Sequence, residues 1–312
     1  MTEYKLHYIP PNKIKKSDLF TSREFIEYHI KSSKFEVITV GVSESDSDLI
    51  LAYISFLKKG YSCISPITGA YGGPIVLGNN CSRAIKYLLS NISYFISLSY
   101  QIKNISIKLP PSNRLVGNYD FNLLFKEAGW ELLNQDINYH INIDENKSLI
   151  NYLDKSKRKV IRRIDRENMS FKEVPHRHLM DIYGIIKQNR IDNNIPMTMD
   201  LDSLLDIAKY LKHAILLFSI NDHDVPISSA ICLKINPEYL YVFYWGELTK
   251  YRKSSPVTYL AYCLYDYCKK NNIKTLDIGT ASQNSILNTG LAEFKRRLGF
   301  IASHKYTYLL QI

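Results

Sequence analysis

Hydrophobic and polar positions fall into short β-type runs through the first half of the chain, at residues 35–42 (FEVITVGV), 48–57 (DLILAYISFL) and 61–67 (YSCISPI). Apolar residues then recur at helical spacing from about Cys81 to Tyr100, followed by a strand at 105–109, a helix near 120–128 and a strand at 137–143. The second half predicts the same order: a strand near 170–174, helices near 177–190 and 200–211, and strands at 214–220, 226–235 and 238–245. A helix from Pro256 to about Asn271, a strand at 274–279 and a last strand at 304–312 complete it. The helix from Pro256 has Ser255 as the expected N-cap and proline at its first position, and Val257, Leu260, Ala261, Leu264 and Cys268 recur on one face.

The repeated order extends to the residues. FKEAGW (125–130) closes the first half and FKRRLGF (294–300) closes the second, each followed by a strand, which together predict an internal duplication. The predicted division is a domain over 1–147, a basic connecting helix over 148–168 and a domain over 169–312. In the connecting segment, Leu153, Val160, Ile161 and Ile164 form an apolar stripe, and the window 154–167 holds seven basic and three acidic residues.

Composition changes this picture little. A chain of 312 residues with 46% hydrophobic positions buries a sizeable core. Residues 1–10 have no apolar core of a signal peptide and YLYVFYW (239–245) is too short to span a bilayer, so the expected location is cytoplasmic, with peripheral membrane contact left open. Cys63, Cys81, Cys232, Cys263 and Cys268 form no CxxC pair, so packed thiols are expected rather than a disulfide framework or a metal site. The formal charge of +10 favours anionic partners such as phosphorylated cofactors, nucleotide-linked sugars, lipid headgroups or tRNA, and is equally what an AT-rich coding sequence produces.

Two mixed α/β halves, a YGGP turn (71–74) after the third strand, a basic helix between the halves, and a strand, Asp-x-Gly, loop, GL-x-x-FK-x-x-x-G-F ending together resemble the FemAB-like branch of the GNAT-fold acyltransferases. The resemblance covers nearly the whole chain and implies an α/β fold of two tandem GNAT-like mixed-sheet domains. It implies transfer of an acyl or aminoacyl group, from a thioester such as acyl-CoA or from a charged tRNA, to an amine in envelope, polysaccharide or lipid assembly. On this resemblance Tyr71, Gly72 and Gly73 are candidate substrate-binding residues. One departure stands out: WGELTKYRKSSPV (245–257) has a single glycine where acetyltransferases of this fold carry a glycine-rich loop for the coenzyme A pyrophosphate. Arg252, Lys253 and Ser255, with the N–H groups opening the next helix, are the candidates to hold phosphate oxygens instead.

Aminolysis of an ester or thioester needs a neutral amine, donors toward the developing oxyanion and a proton for the leaving group, and no nucleophilic side chain. Consistently there is no G-x-S-x-G elbow, H-E-x-x-H pair or P-loop. Glu247 is the candidate base, with a solvated loop carboxylate as the alternative. Asp277 is the candidate to orient the amine, unless it caps a backbone donor. Tyr244 is the candidate proton donor, and shares a face with Tyr241 only if a bulge intervenes between them. His304 and His223 are weaker candidates. The polar stretch 280–288, with Gln283 and Asn288, is expected to line a substrate mouth with Lys295 at its edge. The alternative is that Asn288 or Thr289 caps a helix turning Leu291, Phe294 and Leu298 inward, with Arg296 and Arg297 solvated. The leading expectation is a thioester-dependent N-acyltransferase, the second an aminoacyl-tRNA-dependent ligase, and the third a non-catalytic protein that grips an anionic ligand. DNA is not among the expected partners.

Overall fold

The computed structural model describes residues 3–14, 18–32, 36–79, 81–115, 119–164 and 169–312. The chain forms two compact units, one of Met1–Ile137, Asn284–Ile286 and Ser303–Ile312, the other of Asn138–Gln283 and Leu287–Ala302. Of the expected elements, residue 35 of the first strand and residues 165–168 of the connecting segment lie outside the described residues.

In chain order the first unit is built from β1 (Tyr4–Tyr8), α1 (Arg23–Ser32), β2 (Glu36–Glu44), β3 (Ala52–Lys59), β4 (Ser62–Ser65), β5 (Ile75–Val76), α2 (Ser82–Ser97), β6 (Asn104–Lys108) and α3 (Phe121–Glu127). Strands β1 to β4 run antiparallel in sequence order, and β4 then pairs in parallel with β6, with α2 as the crossover. Ala84, Ile85, Leu88, Leu89, Ile92 and Ile96 of α2 are buried in one core with Val40, Ile54, Phe56, Ile105 and Ile107. That face explains why the pattern from Cys81 was legible. β1 and α1 were not anticipated. α1 follows Ser22, whose hydroxyl accepts from Phe25 N, and it buries Phe25 and Ile26.

The second unit repeats the order. After β7 (Glu131–Asn142) come α4 (Lys155–Ile164), β8 (Met169–Val174), α5 (Leu179–Asp192), α6 (Leu201–Tyr210), β9 (Ile215–Asp222), β10 (Val225–Asn236), β11 (Tyr239–Glu247), α7 (Pro256–Lys270) and β12 (Thr275–Thr280). The short strands β13 (Ser282–Gln283) and β14 (Ile286–Leu287), α8 (Thr289–Arg297) and β15 (Ile301–Gln311) follow. Strands β8 to β11 are antiparallel neighbours, and β11 pairs in parallel with β12 across α7, which buries Leu260, Ala261, Leu264 and Cys268. Each unit is therefore an antiparallel ladder ending in one parallel pair bridged by a helix.

The last strand of each ladder comes from elsewhere in the chain. Residues Asn138–Asn142 of β7, which follows α3, pair with β12, and Thr307–Gln311 of β15, which follows α8, pair with β6. The duplicated halves have exchanged their closing strands.

The YGGP turn belongs to the first unit and is tightly packed. Gly72 N donates to Lys108 O and Gly73 N to Ser65 Oγ, and a Cβ on Gly72 would lie 2.3 Å from Ser65 Oγ and 2.9 Å from Pro66 Cα. Only glycine fits that approach. Stretch 280–288, expected as an open loop, is instead a hairpin between β13 and β14, turned by Asn284 and Ser285 with φ of 52° and 65°. Two-residue strands leave no periodicity to read.

Candidate functional site

In the second unit β11 and β12 pair only from Tyr239↔Thr275 to Tyr241↔Asp277, after which the parallel strands part. Against β10, Tyr244 stands opposite Ile231 and Val242 opposite Cys232, so Phe243 is an extra, bulged residue. The bulge sets Tyr241 and Tyr244 on the same face, which decides the alternative left open by the sequence. Asp277 shares that face as the partner of Tyr241.

Asp277 is 2% exposed and fully engaged. Its Oδ2 accepts from Tyr239 OH at 2.5 Å and Asn138 Nδ2 at 3.0 Å, and its Oδ1 from Gly279 N at 2.6 Å. Burial pushes the neighbouring Tyr241 phenol up, with the Asp277 and Tyr244 charges acting the same way, so the phenol stays protonated. Burial pulls His140 down, against the opposing charge of Asp277. Tyr244 is 2% exposed, its hydroxyl bonds Thr198 Oγ1, and the Arg190 guanidinium lies 4.8 Å from its ring centroid. Arg190 Nε is buried without a partner among the described residues.

Lys295 is not at the edge of a mouth. It is 2% exposed, and its Nζ donates to the carbonyls of Ile278 (2.6 Å), Gly279 (2.8 Å) and Thr280 (2.9 Å). Successive carbonyls of a regular strand point alternately to either side. Here the pairing of β12 with β7 slips between Asp277 and Thr280, and Gly279 has φ +75°, so three in a row converge. Burial draws the Lys295 ammonium down to about 7, against the nearby Asp277. Helix α8 turns Ala292, Lys295 and Leu298 inward while Phe294 is half-buried, which corrects the expected phase. Asn288 is its N-cap, accepting from Leu291 N at 2.9 Å, and Arg296 and Arg297 pair with Glu293 at the surface. Gln283 is exposed in β13.

The start of α7 also differs from expectation. Ser255 occupies the N-cap position at φ 56° with no side-chain cap. The cap is Glu247, whose Oε2 accepts from Val257 N at 3.2 Å while Arg252 Nε lies 3.6 Å from Oε1. Pro256 has no N–H, and Thr258 and Tyr259 both donate to Ser255 O. Every donor of the first turn is taken, so the N–H groups expected to hold phosphate are occupied by the chain itself. Burial pushes the Glu247 carboxyl up, against the pull of Val257 N–H, Arg252 and Lys157. Lys157 of α4 reaches the same place, donating to Thr258 Oγ1 at 3.1 Å and standing 4.6 Å from the Phe294 ring centroid. Arg252 Nη2 bonds Asn193 Oδ1, and Lys253 is exposed, its carbonyl accepting from Arg163.

In the first unit Tyr71 is buried, and its hydroxyl accepts from Arg114, which pairs with Asp18 at 2.5 Å. Tyr71, Gly72 and Pro74 line a cavity of about 220 Å³ there, while Gly73 holds the turn. His304 bonds Gln135 in this unit, and His223 lies in the exposed β9–β10 turn. Sequence reading missed Arg190, Lys157, Tyr239 and Asn138. Alternation along YLYVFYW already puts Tyr239 with Tyr241, whereas nothing local marks Arg190 or Asn138.

Comparison with family models and with curated proteins finds no match. Among solved structures the chain is similar to FemX, at 13% identity over 99% of this chain and 97% of that one, with a TM-score of 0.74. It is similar to a tandem GNAT protein from the clavulanic acid biosynthesis pathway, at 7% identity over 99% and 98% with a TM-score of 0.60. It is also similar to the C-terminal domain of a putative lysylphosphatidylglycerol synthetase from Agrobacterium fabrum, at 10% identity over 83% and 80% with a TM-score of 0.56. The likeness shows the fold: a tandem GNAT-like one, of the FemAB-like branch to which FemX's structure belongs. Among the described residues no helix is long and apolar enough to cross a membrane.

Proposed function

We propose that this protein transfers an aminoacyl group from the 3′ end of an RNA to a primary amine, rather than an acyl group from a coenzyme A thioester. The observation that carries the reading is Glu247 at the start of α7. A pyrophosphate placed there meets a carboxylate instead of free N–H groups, because Val257, Thr258 and Tyr259 already have acceptors and Pro256 has no donor. A tRNA donor needs no such cradle. The leading thioester expectation therefore gives way to the second one.

In the proposed reaction the neutral amine attacks the ester carbonyl where β11 and β12 part. The C–N bond forms, the C–O bond to the ribose breaks, and the amine proton ends on the ribose hydroxyl. Tyr241, kept protonated by burial, is proposed as the hydrogen-bond donor to the oxyanion. Asp277 and Lys295 are positioning residues that fix the β12 bulge beside it. Tyr244, tied to Thr198, aligns the strand rather than donating the proton, and Glu247 is a cap rather than the base. Arg190, with a buried unpartnered Nε, is proposed to meet an anionic group of the acceptor. The acceptor class is an amine on an envelope or lipid precursor. Supporting a lipid setting, though not the amine itself, the structurally similar lysylphosphatidylglycerol synthetase domain is named for a lipid that carries a lysyl group on a hydroxyl.

The test is transfer of radiolabelled amino acid from a mixed aminoacyl-tRNA pool to a panel of amines, run beside acetyl-CoA and longer acyl-CoAs. Amide formation from tRNA with none from the thioesters is the expected result. Turnover with any acyl-CoA and none with tRNA overturns the reading.

A further inference from the structure

Helix α4 presents a face of cations that no described residue of its unit pairs with. Lys155, Arg158, Lys159 and Arg162 are exposed at positions i, i+3, i+4 and i+7, and together line a shallow concavity of about 290 Å³. None of the four has an ion-pair partner among the described residues, whereas exposed Arg296 and Arg297 are both paired with Glu293. Like charges at i,i+4 destabilise a helix by a few tenths of a kcal/mol per pair, so this row is costly when empty. Its opposite face is committed to packing: Ile161 and Ile164 are buried. The helix thus has no apolar stripe to insert into a bilayer, which separates it from a membrane-surface helix.

The row is also joined to the α7 terminus. Arg163 Nη2 donates to Lys253 O at 3.0 Å, and Lys157, on the inward side of α4, donates to Thr258 Oγ1. The four exposed cations extend over about two helical turns, roughly 10 Å, at 1.5 Å per residue. A row of cations along one helix face, without ion-pair partners among the described residues, is complementary to a run of phosphodiesters. A compact single anion would instead need converging donors.

We infer that the outer face of α4 is the docking surface for the phosphate backbone of an RNA, with Lys155, Arg158, Lys159 and Arg162 as its contacts. The inference rests on the aminoacyl-RNA reading above and adds where the RNA lies. It is tested with the full chain and uncharged bulk tRNA as the probe, by fluorescence anisotropy from 50 to 300 mM salt. Combining Lys155→Ala, Arg158→Ala, Lys159→Ala and Arg162→Ala should weaken binding at least tenfold. The slope of log K against log salt should flatten by about 3 to 4, as for the loss of about four phosphate contacts. Arg296→Ala with Arg297→Ala is the control and leaves both values unchanged. The single variant Lys159→Glu, which keeps the rest of the helix, should weaken binding in the same direction if the fourfold variant melts early.

Equal affinity and slope in wild type and the fourfold variant overturn the surface, even where aminoacyl transfer is observed. Binding of wild type to anionic vesicles but not to tRNA also overturns it, in favour of a membrane. A tRNA affinity that falls in the variant supports the surface even if no aminoacyl transfer is detected, in which case only the donor reading fails.

Discussion

Lys295 and Gly279 are locked together: the lysine ammonium lies 2.8 Å from the glycine carbonyl, with the carbonyls on either side completing its three bonds. A charge buried to this depth is costly unless each donor is matched, and the bulge in β12 supplies the match. Lys295→Met should lower stability by about 2 kcal/mol or more, since it leaves buried carbonyls unsatisfied. Arg296→Ala, one residue along and at the surface, should change it by less than about 0.5 kcal/mol. Urea unfolding of both variants decides; equal midpoints would show that the three buried bonds of Lys295 add nothing net to stability.

The same group sets a pH dependence. The folded ammonium titrates near 7 and an unfolded lysine near about 10.4, so between these values the unfolded chain holds a proton that the folded chain has released. Stability from this group therefore rises with pH from about 7 to about 10.4, on the order of 1 kcal/mol per pH unit, and is flat below. Wild type should gain on Lys295→Met between pH 6 and pH 9 in denaturant titrations; a constant difference contradicts the assignment.

Removing the cap at α7 should create the site that the chain now fills. Glu247→Ala frees Val257 N–H and takes away a negative charge, which should raise affinity for inorganic pyrophosphate about tenfold to a hundredfold, the worth of one or two charge-assisted bonds. Calorimetry on the two proteins reads this directly, and unchanged weak binding counts against the blocked-cradle argument.

Tyr241 and Tyr244 share a face, and the proposed reaction gives them different tasks. Tyr241→Phe should cut kcat about a hundredfold with little effect on KM, as for loss of one oxyanion donor. Tyr244→Phe loses only its bond to Thr198 and should cost less than tenfold. Similar losses in both would make the hydroxyls structural.

In the first unit, Gly72→Ala should destabilise by about 1–3 kcal/mol, because its Cβ would fall 2.9 Å from the Pro66 backbone and 2.3 Å from Ser65 Oγ. A melting temperature equal to wild type would show that the turn relaxes more freely than its packing indicates.

Much of this architecture was written in local patterns. The face of α2 from Ala84 to Ile96 and that of α7 from Leu260 to Cys268 repeat at helical spacing, and the parallel of 125–130 with 294–300 pointed to duplication. The polar residues were read less well, because their roles depend on backbone geometry that no spacing encodes. Lys295 sits between Ala292 and Leu298 on the buried side of α8, yet a lysine in an Lys-Arg-Arg run reads as solvated until three converging carbonyls are found beneath it. Glu247 reads as a loop acid because its partner, Val257 N, comes ten residues later across a left-handed Ser255. The bulge at Phe243, on which the pairing of Tyr241 with Tyr244 depends, left no mark in the strand's composition.

The exchanged closing strands bear on how the protein is made. A nascent chain that has emerged through residue 147 contains α2, β6 and α3 of the first unit but lacks β15, so the free edge of β6 stays unpaired until residues 307–311 leave the ribosome. The half synthesised first is thus completed last, and its open edge is the longest exposed to pairing with another chain.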